Sequence, residues 1–418
     1  MNEVERRKKL AFKALLCAFF VDFLGYAFIV PILPSWQQQF GINATQATLL
    51  ISVWALPMFL FGPWTGRFTD RIGAGRTLTY SIGLLSLSSL LYMVATSESL
   101  PHPFALLVVA RLIHGASGAA IMTAGLSAAS QLWPNNFGET SGKLLGVAAA
   151  GGLFGPVLGG VLFSWVGAKA FLLLGVITAL VLPLMMYASR AIGVAQTPSQ
   201  GNVSVKVFFT NPVLFKVGVL LSITTVATGA LEAGVPLFLD DALGLSAGEI
   251  GGVLLVMVLM QAAGSWIWGR LVDKNGPTRY MLVGWTFVVI SLFGVGIMGW
   301  YLSGFSAILA MILLLGVFQF SIAAAQIPML PIIDTAANRA LGTGNPALAF
   351  GAFGTAWAAG TIVGPLLVGP MFDISHSWPI ALGCLVVPTS IALWITVKNR
   401  TMLEECYMSE MERRQSQS

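Results

Sequence analysis

The chain has 418 residues, of which 56% are hydrophobic and only 9% are charged. A soluble domain carries roughly 25% charged residues, so this composition excludes an ordinary globular protein. The formal net charge of +5 does not indicate a nucleic-acid partner, because the basic residues cluster at the ends of long apolar runs.

These apolar runs recur along the whole chain, and each can cross a bilayer core of about 30 Å. In chain order they predict twelve membrane spans at 11–34, 47–65, 77–96, 104–132, 141–165, 168–190, 213–239, 247–268, 279–301, 306–333, 347–371 and 378–398. We therefore expect an all-α membrane protein with twelve transmembrane helices.

The one sizeable polar break divides the spans six and six. It predicts a six-helix half at 1–190, a cytosolic central loop at 191–212, a second six-helix half at 213–400 and a cytosolic tail at 401–418. Basic residues lie before span 1 and in the loops after even-numbered spans, whereas the alternate loops contain essentially one, Lys169. The positive-inside rule places both termini in the cytosol.

An internal repeat supports the division into halves. The segment GRFTDRIGAGR at 66–76 recurs as GRLVDKNGPTR at 269–279, after the second span of each half. Glycine, arginine, an acid, a base, glycine and a final arginine fall at matching places. The pair indicates two six-span halves related by duplication.

Charged residues are rare inside the predicted spans. Asp22 in span 1, Arg111 in span 4 and Glu232 in span 7 lie well inside them. A charge in hydrocarbon costs at least about 2.5–3.5 kcal/mol, so each is a candidate functional residue. Asp22 and Glu232 could carry a proton or bind a cationic substrate. The alternative for Asp22 is a structural acid paired with a hydroxyl or a backbone group.

Three motifs resemble signatures of the major facilitator superfamily. The first loop carries Gly66, Asp70, Arg71, Gly73 and Arg76, and span 4 reads ARLIHGASGAA at 110–120. Span 5 reads GGLFGPVLGG, which is similar to the family's antiporter motif, with Gly151, Gly155, Pro156, Gly159 and Gly160. The resemblance implies the twelve-helix fold of that family. It also implies a conformational latch at the first loop, with Asp273 in the second copy.

Within that family the chain resembles the drug:proton antiporter branch that contains the vesicular amine transporters. Span 1 matches it at Asp22 and at PxxPS, and span 7 matches it at Leu231, Glu232 and Pro236. The chain departs from the monoamine transporters at Trp54, Gly354 and Gln326, where that branch has a lysine and two acids. The resemblance therefore implies proton-coupled antiport but leaves monoamine specificity in doubt.

Further residues are candidates for the substrate cavity or its gate. We expect Tyr26, Trp54, His114, Gln319 and Gln326 to line the cavity. His114 could equally be a packing residue. Asp334 is either a solvated acid at the end of span 10 or an inner gate. Arg111 could join the coupling network, pair with a fixed structural acid, or bind an anionic group of the substrate.

The sequence thus predicts a proton-coupled antiporter that exports small organic molecules, cationic or zwitterionic, from the cytosol by alternating access. The alternatives are an exporter of an anionic metabolite or siderophore that uses Arg111, and a non-transporting membrane sensor on the same fold. We expect a monomer without metal or cofactor. We do not expect an enzyme, because no nucleophile–base pair or phosphate-binding loop is visible.

Overall fold

The structure is a computed structural model that describes residues 3–97, 101–133, 137–192, 210–302, 304–329, 332–333, 336 and 346–417. Its regular structure is helical. The first helices are α1 (Glu3–Phe28), a 3-10 turn (Val30–Ile32), α2 (Leu33–Phe40), α3 (Ala44–Ile72), α4 (Ala74–Thr96), α5 (Pro103–Leu132), α6 (Phe137–Val166) and α7 (Lys169–Ile192).

The later helices begin after the central polar segment. They are α8 (Pro212–Leu243), α9 (Ala247–Asn275), α10 (Thr278–Tyr301), α11 (Gly304–Gln326), α12 (Pro346–Ser375), α13 (Trp378–Gly383), α14 (Val386–Lys398) and α15 (Arg400–Gln417). The start of α8 is capped by Asn211, whose side-chain oxygen accepts hydrogen bonds from the amides of Val213 and Leu214, a common way to satisfy the first free amides of a helix.

The helices bear out the predicted membrane spans. Among the described residues, twelve helical segments are long and apolar enough to cross a bilayer. The chain is therefore an integral, multi-pass membrane protein of the all-α class.

Prolines break three of the predicted spans. Span 1 is interrupted by the 3-10 turn that contains Pro31, and span 12 is interrupted between α13 and α14, where Pro388 lacks the amide needed to continue the helix. Helix α11 ends at Gln326, earlier than the predicted limit of 333. Pro328 follows two residues later and disfavours a helical conformation at Ile327.

One compact unit holds α1, α2, α4 to α7, most of α3 and the start of α9. It comprises Met1–Ile42, Val53–Gly201 and Leu245–Leu255, and we call it unit 1. Small and aliphatic side chains form its core, including Ala14 and Leu15 of α1 and Met185 of α7. Small residues on α1 allow neighbouring helices to approach closely, as membrane helices require.

Unit 2 holds the first residues of α3, the rest of α9 and α8 with α10 to α15. It comprises Asn43–Ser52, Asn202–Gly244 and Val256–Ser418. Helix α8 is its most deeply buried long helix, with twenty buried residues. The C-terminal segment, predicted as a tail, forms helix α15, in which Leu403, Cys406 and Tyr407 are buried.

The two copies of the repeated loop share a backbone geometry. Gly73 and Gly276 occupy the same place in the repeat and have positive φ values of 89° and 80°. Their amides donate to the carbonyls of Thr69 and Val272, each at 2.9 Å. Since a positive φ favours glycine, the repeat conserves a conformation as well as a motif.

Candidate functional site

Asp22 lies within α1 and is 2% exposed. Its carboxylate Oδ1 lies 3.6 Å from Nε2 of His114 on α5. The same nitrogen lies 3.3 Å from the backbone oxygen of Asp22. The structure thus brings together an acid and an imidazole that the sequence had predicted separately.

Tyr92 on α4 extends this contact. Its hydroxyl lies 3.3 Å from Nδ1 of His114, and both side chains are buried. One neutral tautomer satisfies both sides of the ring: Nε2–H donates to the backbone oxygen of Asp22, and Nδ1 accepts from the hydroxyl of Tyr92. The chain Tyr92–His114–Asp22 therefore fixes the orientation of the imidazole against the acid.

Arg111 lies near these three residues, and we call Asp22, Tyr92, His114 and Arg111 the Asp22 cluster. It is fully buried on α5, one turn before His114. Its guanidinium carbon lies 5.5 Å from the centre of the Tyr26 ring, and its charge acts on both Asp22 and Tyr92. A cation over an aromatic face is attracted by the ring. Arg111 is thus part of the Asp22 cluster.

Glycines of α5 make room for these groups. A Cβ on Gly118 would lie 2.9 and 3.0 Å from the two carboxylate oxygens of Asp22, and one on Gly115 would overlap the backbone oxygen of Trp54. Arg111, Gly115 and Gly118 fall on one face of α5 by their spacing of three and four residues. The motif ARLIHGASGAA therefore gives α5 a face that admits α1 and α3.

Two of the predicted cavity aromatics pack beside the cluster. The rings of Tyr26 and Trp54 have centroids 4.2 Å apart, and the centroid of His114 lies 6.1 Å from that of Trp54. Both aromatics are buried within unit 1. Because Arg111 lies over the ring of Tyr26, that ring stabilises the position of the arginine side chain.

The antiporter motif of α6 forms a close contact with α1. A Cβ on Gly155 would lie 2.7 Å from Cβ of Ala27 and 2.8 Å from the backbone oxygen of Leu24. Gly151 and Gly159 meet the backbone oxygens of Phe20 and Phe28, and α6 continues through Pro156. Gly160 meets the backbone oxygen of Ala247 at the start of α9. The motif thus packs α6 on the helix that carries Asp22.

The remaining predicted residues belong to other parts of the chain. Glu232 is half-buried on α8, Gln319 is buried on α11, and Gln326 is half-buried at the end of α11. All three lie in unit 2, and their assignment to the cavity stays a prediction. In the first loop Gly66 is half-buried, whereas Arg71 and Arg76 are exposed.

Three predicted acids are not described. The side chains of Asp70 and Asp273 and the whole of Asp334 lie outside the part of the chain that the structure describes. Their roles as latch and inner gate stay predictions. Within the described residues, no group of three or more His, Cys, Asp or Glu side chains could hold a metal ion.

Sequence reasoning missed three residues that the structure makes important. Tyr92 belongs to the Asp22 cluster and Gly118 contacts it, and nothing in the local sequence distinguishes Tyr92 from Tyr80 of the same span. Asp373 on α12 accepts hydrogen bonds from the amides of Ala44 and Thr45 and from the Thr45 hydroxyl. It caps the start of α3 from a position 329 residues away in the sequence, a pairing that local sequence cannot reveal.

The fold and the buried ionisable cluster define a polytopic membrane transporter. The chain matches the model of the Major Facilitator Superfamily over residues 15–365 and belongs to this family. Its substrates are accordingly expected among small molecules.

Similar proteins agree with this class. The chain is 26% identical over 375 residues to the human "MFS-type transporter SLC18B1", covering 85% of this chain and 79% of the relative. It is 22% identical over 413 residues to "Multidrug resistance protein 2" of Bacillus subtilis (strain 168), covering 96% and 98%. A crystal structure of a bacterial homolog of the human lysosomal transporter Spinster, inward-facing and unoccupied, superposes with a TM-score of 0.69 at 13% identity and 97% coverage of both chains. This last match supports the fold alone.

Proposed function

We propose that the protein is a proton-coupled antiporter that exports small organic cations or zwitterions from the cytosol by alternating access. The observation that carries the proposal is the buried Asp22 carboxylate beside His114, with the buried Arg111 one turn away from His114 on α5. Ionisable groups within membrane spans are costly and are retained mainly for function. The similarity to a multidrug resistance protein supports export of organic molecules.

The charges of the cluster favour exchange of one proton for one monovalent cation. With Asp22 ionised and His114 neutral, the carboxylate and the Arg111 guanidinium sum to zero. Either a proton on Asp22 or a monovalent cation beside it gives a net charge of plus one. Holding both would add a second uncompensated charge in a low-dielectric environment, which is strongly unfavourable. Proton and substrate would therefore exclude each other, as antiport requires.

The neighbouring residues would prepare the carboxylate for this exchange. The Tyr92 hydroxyl positions the His114 ring, and that ring holds Nε2 beside the carboxylate. Because Gly118 has no side chain, both carboxylate oxygens can pack closely against α5. Asp22 would bind the proton or the substrate, whereas Tyr92 and Gly118 act through it as positioning residues.

The glycine face of α6 would limit leakage around this site. Backbone contacts between α6 and α1 leave little room for water beside the helix that carries Asp22.

In the proposed orientation both termini are cytosolic, so the repeated loops at 66–76 and 269–279 act as cytosolic latches. Glu232 would provide a second carboxylate for the exported cation, and the protein would act as a monomer.

The test is uptake into proteoliposomes containing the purified protein, with the interior acidified relative to the outside. A panel of labelled monovalent amines, polyamines and organic acids is offered, with a matched set of vesicles in which an ionophore collapses the pH gradient. We expect accumulation of amines above the passive trapping seen in protein-free vesicles, and only while the gradient persists. Accumulation that survives collapse of the gradient would contradict proton antiport.

A second candidate is export of an anionic metabolite through Arg111. The complete burial of Arg111 beside Asp22 favours it, because a buried guanidinium is a suitable ligand for a carboxylate or phosphate. The substitution Asp22→Asn separates the two candidates. It should abolish coupling and cation binding under the first, and leave anion binding largely intact under the second. Ligand binding without flux under any gradient would instead indicate a sensor.

A further inference from the structure

A small cavity lies between the first turns of α1 and the last turn of α7. It has a volume of ≈ 100 Å³ and is lined by Arg7, Leu10, Tyr187 and Arg190. On this measure a water molecule needs roughly 10–15 Å³, so the cavity can hold a group of several heavy atoms. Two guanidinium groups from different helices thus border one recess within unit 1.

The chemistry of the lining indicates that the cavity binds an anionic ligand. Guanidinium groups bind phosphate oxygens through paired N–H donors, and the Tyr187 hydroxyl adds another donor. Among the near neighbours on α1, Lys8 donates to the backbone oxygen of Leu132, and Glu5 is an exposed acid two residues before Arg7. Among the residues that the structure describes, the lining contains two positive charges and no acid.

The position of the cavity points to a lipid. The apolar segments of α1 and α7 extend over Glu5–Phe40 and Lys169–Arg190, so Arg7 and Arg190 both lie at the ends of membrane spans. On α7, Leu180 and Met186 are large, exposed apolar residues that a bilayer would cover, and the exposed Tyr187 continues this surface to the cavity. The recess therefore opens where the headgroup of a phospholipid would lie.

We propose that this cavity binds the phosphate group of an anionic phospholipid, with Arg7 and Arg190 as its ligands. Leu10 provides the apolar floor, and Tyr187 lies at the boundary between headgroup and acyl chain. The site is independent of the Asp22 cluster and of the proposed antiport. It would hold the N-terminal end of α1 against α7 at the membrane surface.

The test is native mass spectrometry of the purified full-length protein titrated with phosphatidylglycerol or phosphatidylcholine. We expect phosphatidylglycerol to bind more tightly than phosphatidylcholine. Each of Arg7→Gln and Arg190→Gln should weaken phosphatidylglycerol binding about fivefold, because one basic residue near the membrane surface strengthens binding of an anionic lipid by about that factor. Arg400→Gln removes an exposed arginine at another helix end and serves as the matched control.

Three results would overturn the proposal. The first is equal affinity for the two lipids. The second is an equal loss of phosphatidylglycerol binding in Arg400→Gln and in the two cavity variants. The third is tight binding of inorganic phosphate without lipid, lost in the Arg7→Gln/Arg190→Gln double variant, which would assign the cavity to a free phosphate.

Discussion

Helices α1 and α8 pack in the same way but carry different chemistry. In unit 1, glycines of α6 meet the backbone of α1; in unit 2, Gly360 and Gly364 of α12 meet the backbone of α8 at Ser222 and Val226. Helix α1 carries Asp22 against an imidazole of another helix. In α8 the hydroxyl of the buried Thr224 donates a hydrogen bond to the backbone oxygen of Leu221, which lies in the same helix.

Helix packing and loop geometry are thus similar in the two units, whereas the polar chemistry of α1 and α8 differs. A threonine that bonds to its own helix needs no partner elsewhere and has no proton to exchange near neutral pH. Glu232, the acid well inside the span formed by α8, is half-buried, whereas Asp22 is almost completely buried. We therefore expect proton coupling to depend on unit 1 more strongly than on unit 2.

The largest expected effect on uptake comes from neutralising Asp22, and it is compared with neutralising Glu232. Asp22→Asn should abolish gradient-driven uptake in proteoliposomes, because the amide cannot carry the exchangeable proton. Glu232→Gln should reduce uptake without removing its dependence on the gradient. Glu139→Gln alters an exposed acid at the start of α6 and should leave uptake unchanged. Loss of coupling in Glu232→Gln with coupling retained in Asp22→Asn would reverse the comparison.

The shared packing predicts matched losses of stability. Gly155→Ala in α6 and Gly364→Ala in α12 each place a methyl group against a backbone of the facing helix. Overpacking of this kind lowers the free energy of unfolding by about 1–3 kcal/mol. Thermal unfolding in detergent measures the effect, and Gly152→Ala, which meets nothing within 4 Å, is the control. An unaffected Gly364→Ala beside a destabilised Gly155→Ala would show that the two contacts are not equivalent. A destabilised Gly152→Ala would show that the loss does not come from the helix contact.

The space beside Asp22 predicts a loss of transport without a comparable loss of stability. Gly118→Ala would push a methyl group toward the carboxylate oxygens. We expect uptake to fall about tenfold, equal to about 1.4 kcal/mol, with a small change in melting temperature. In α8, Gly229→Ala meets its neighbours at ordinary contact distances of 3.5 Å or more and should transport normally. Equal uptake by the two variants would exclude a special role for Gly118.

The smallest effect concerns the positioning of His114. Tyr92→Phe removes one hydroxyl contact, and a hydrogen bond is worth about 0.5–1.5 kcal/mol. We expect uptake to fall roughly twofold to tenfold, while ligand-free melting stays close to that of the wild type. Tyr280→Phe in unit 2 removes an exposed hydroxyl bonded to Asn275 and serves as the control. Identical transport by Tyr92→Phe and wild type would remove Tyr92 from the coupling chain.

The sequence was sufficient to predict the fold because its signals are long or repeated. Twelve apolar runs indicated twelve spans, and the repeated loop indicated duplication, which the matching φ angles of Gly73 and Gly276 support. The ends of spans were less predictable. Pro31 and Pro388 divided helices that a hydropathy window treats as continuous, since such a window does not register a missing amide.

The site was predictable only where a charge was conspicuous. Asp22 and Arg111 stood out because hydrocarbon disfavours charges. The contact between Asp22 and His114, separated by 92 residues, depends on how α1 and α5 pack and has no local signature. The same holds for Tyr92 and for the cap that Asp373 provides to α3. Side-chain partners across helices require the fold before they can be recognised.

In the proposed mechanism, a proton and a cation compete for Asp22. This competition can be measured by adding tetraphenylphosphonium, a monovalent organic cation, to purified protein in weakly buffered detergent and recording the pH across a series of starting pH values. We predict release of about one proton per bound cation from the wild-type protein at starting pH values where Asp22 is protonated, and no release from Asp22→Asn. Equal proton release by the two proteins would contradict it.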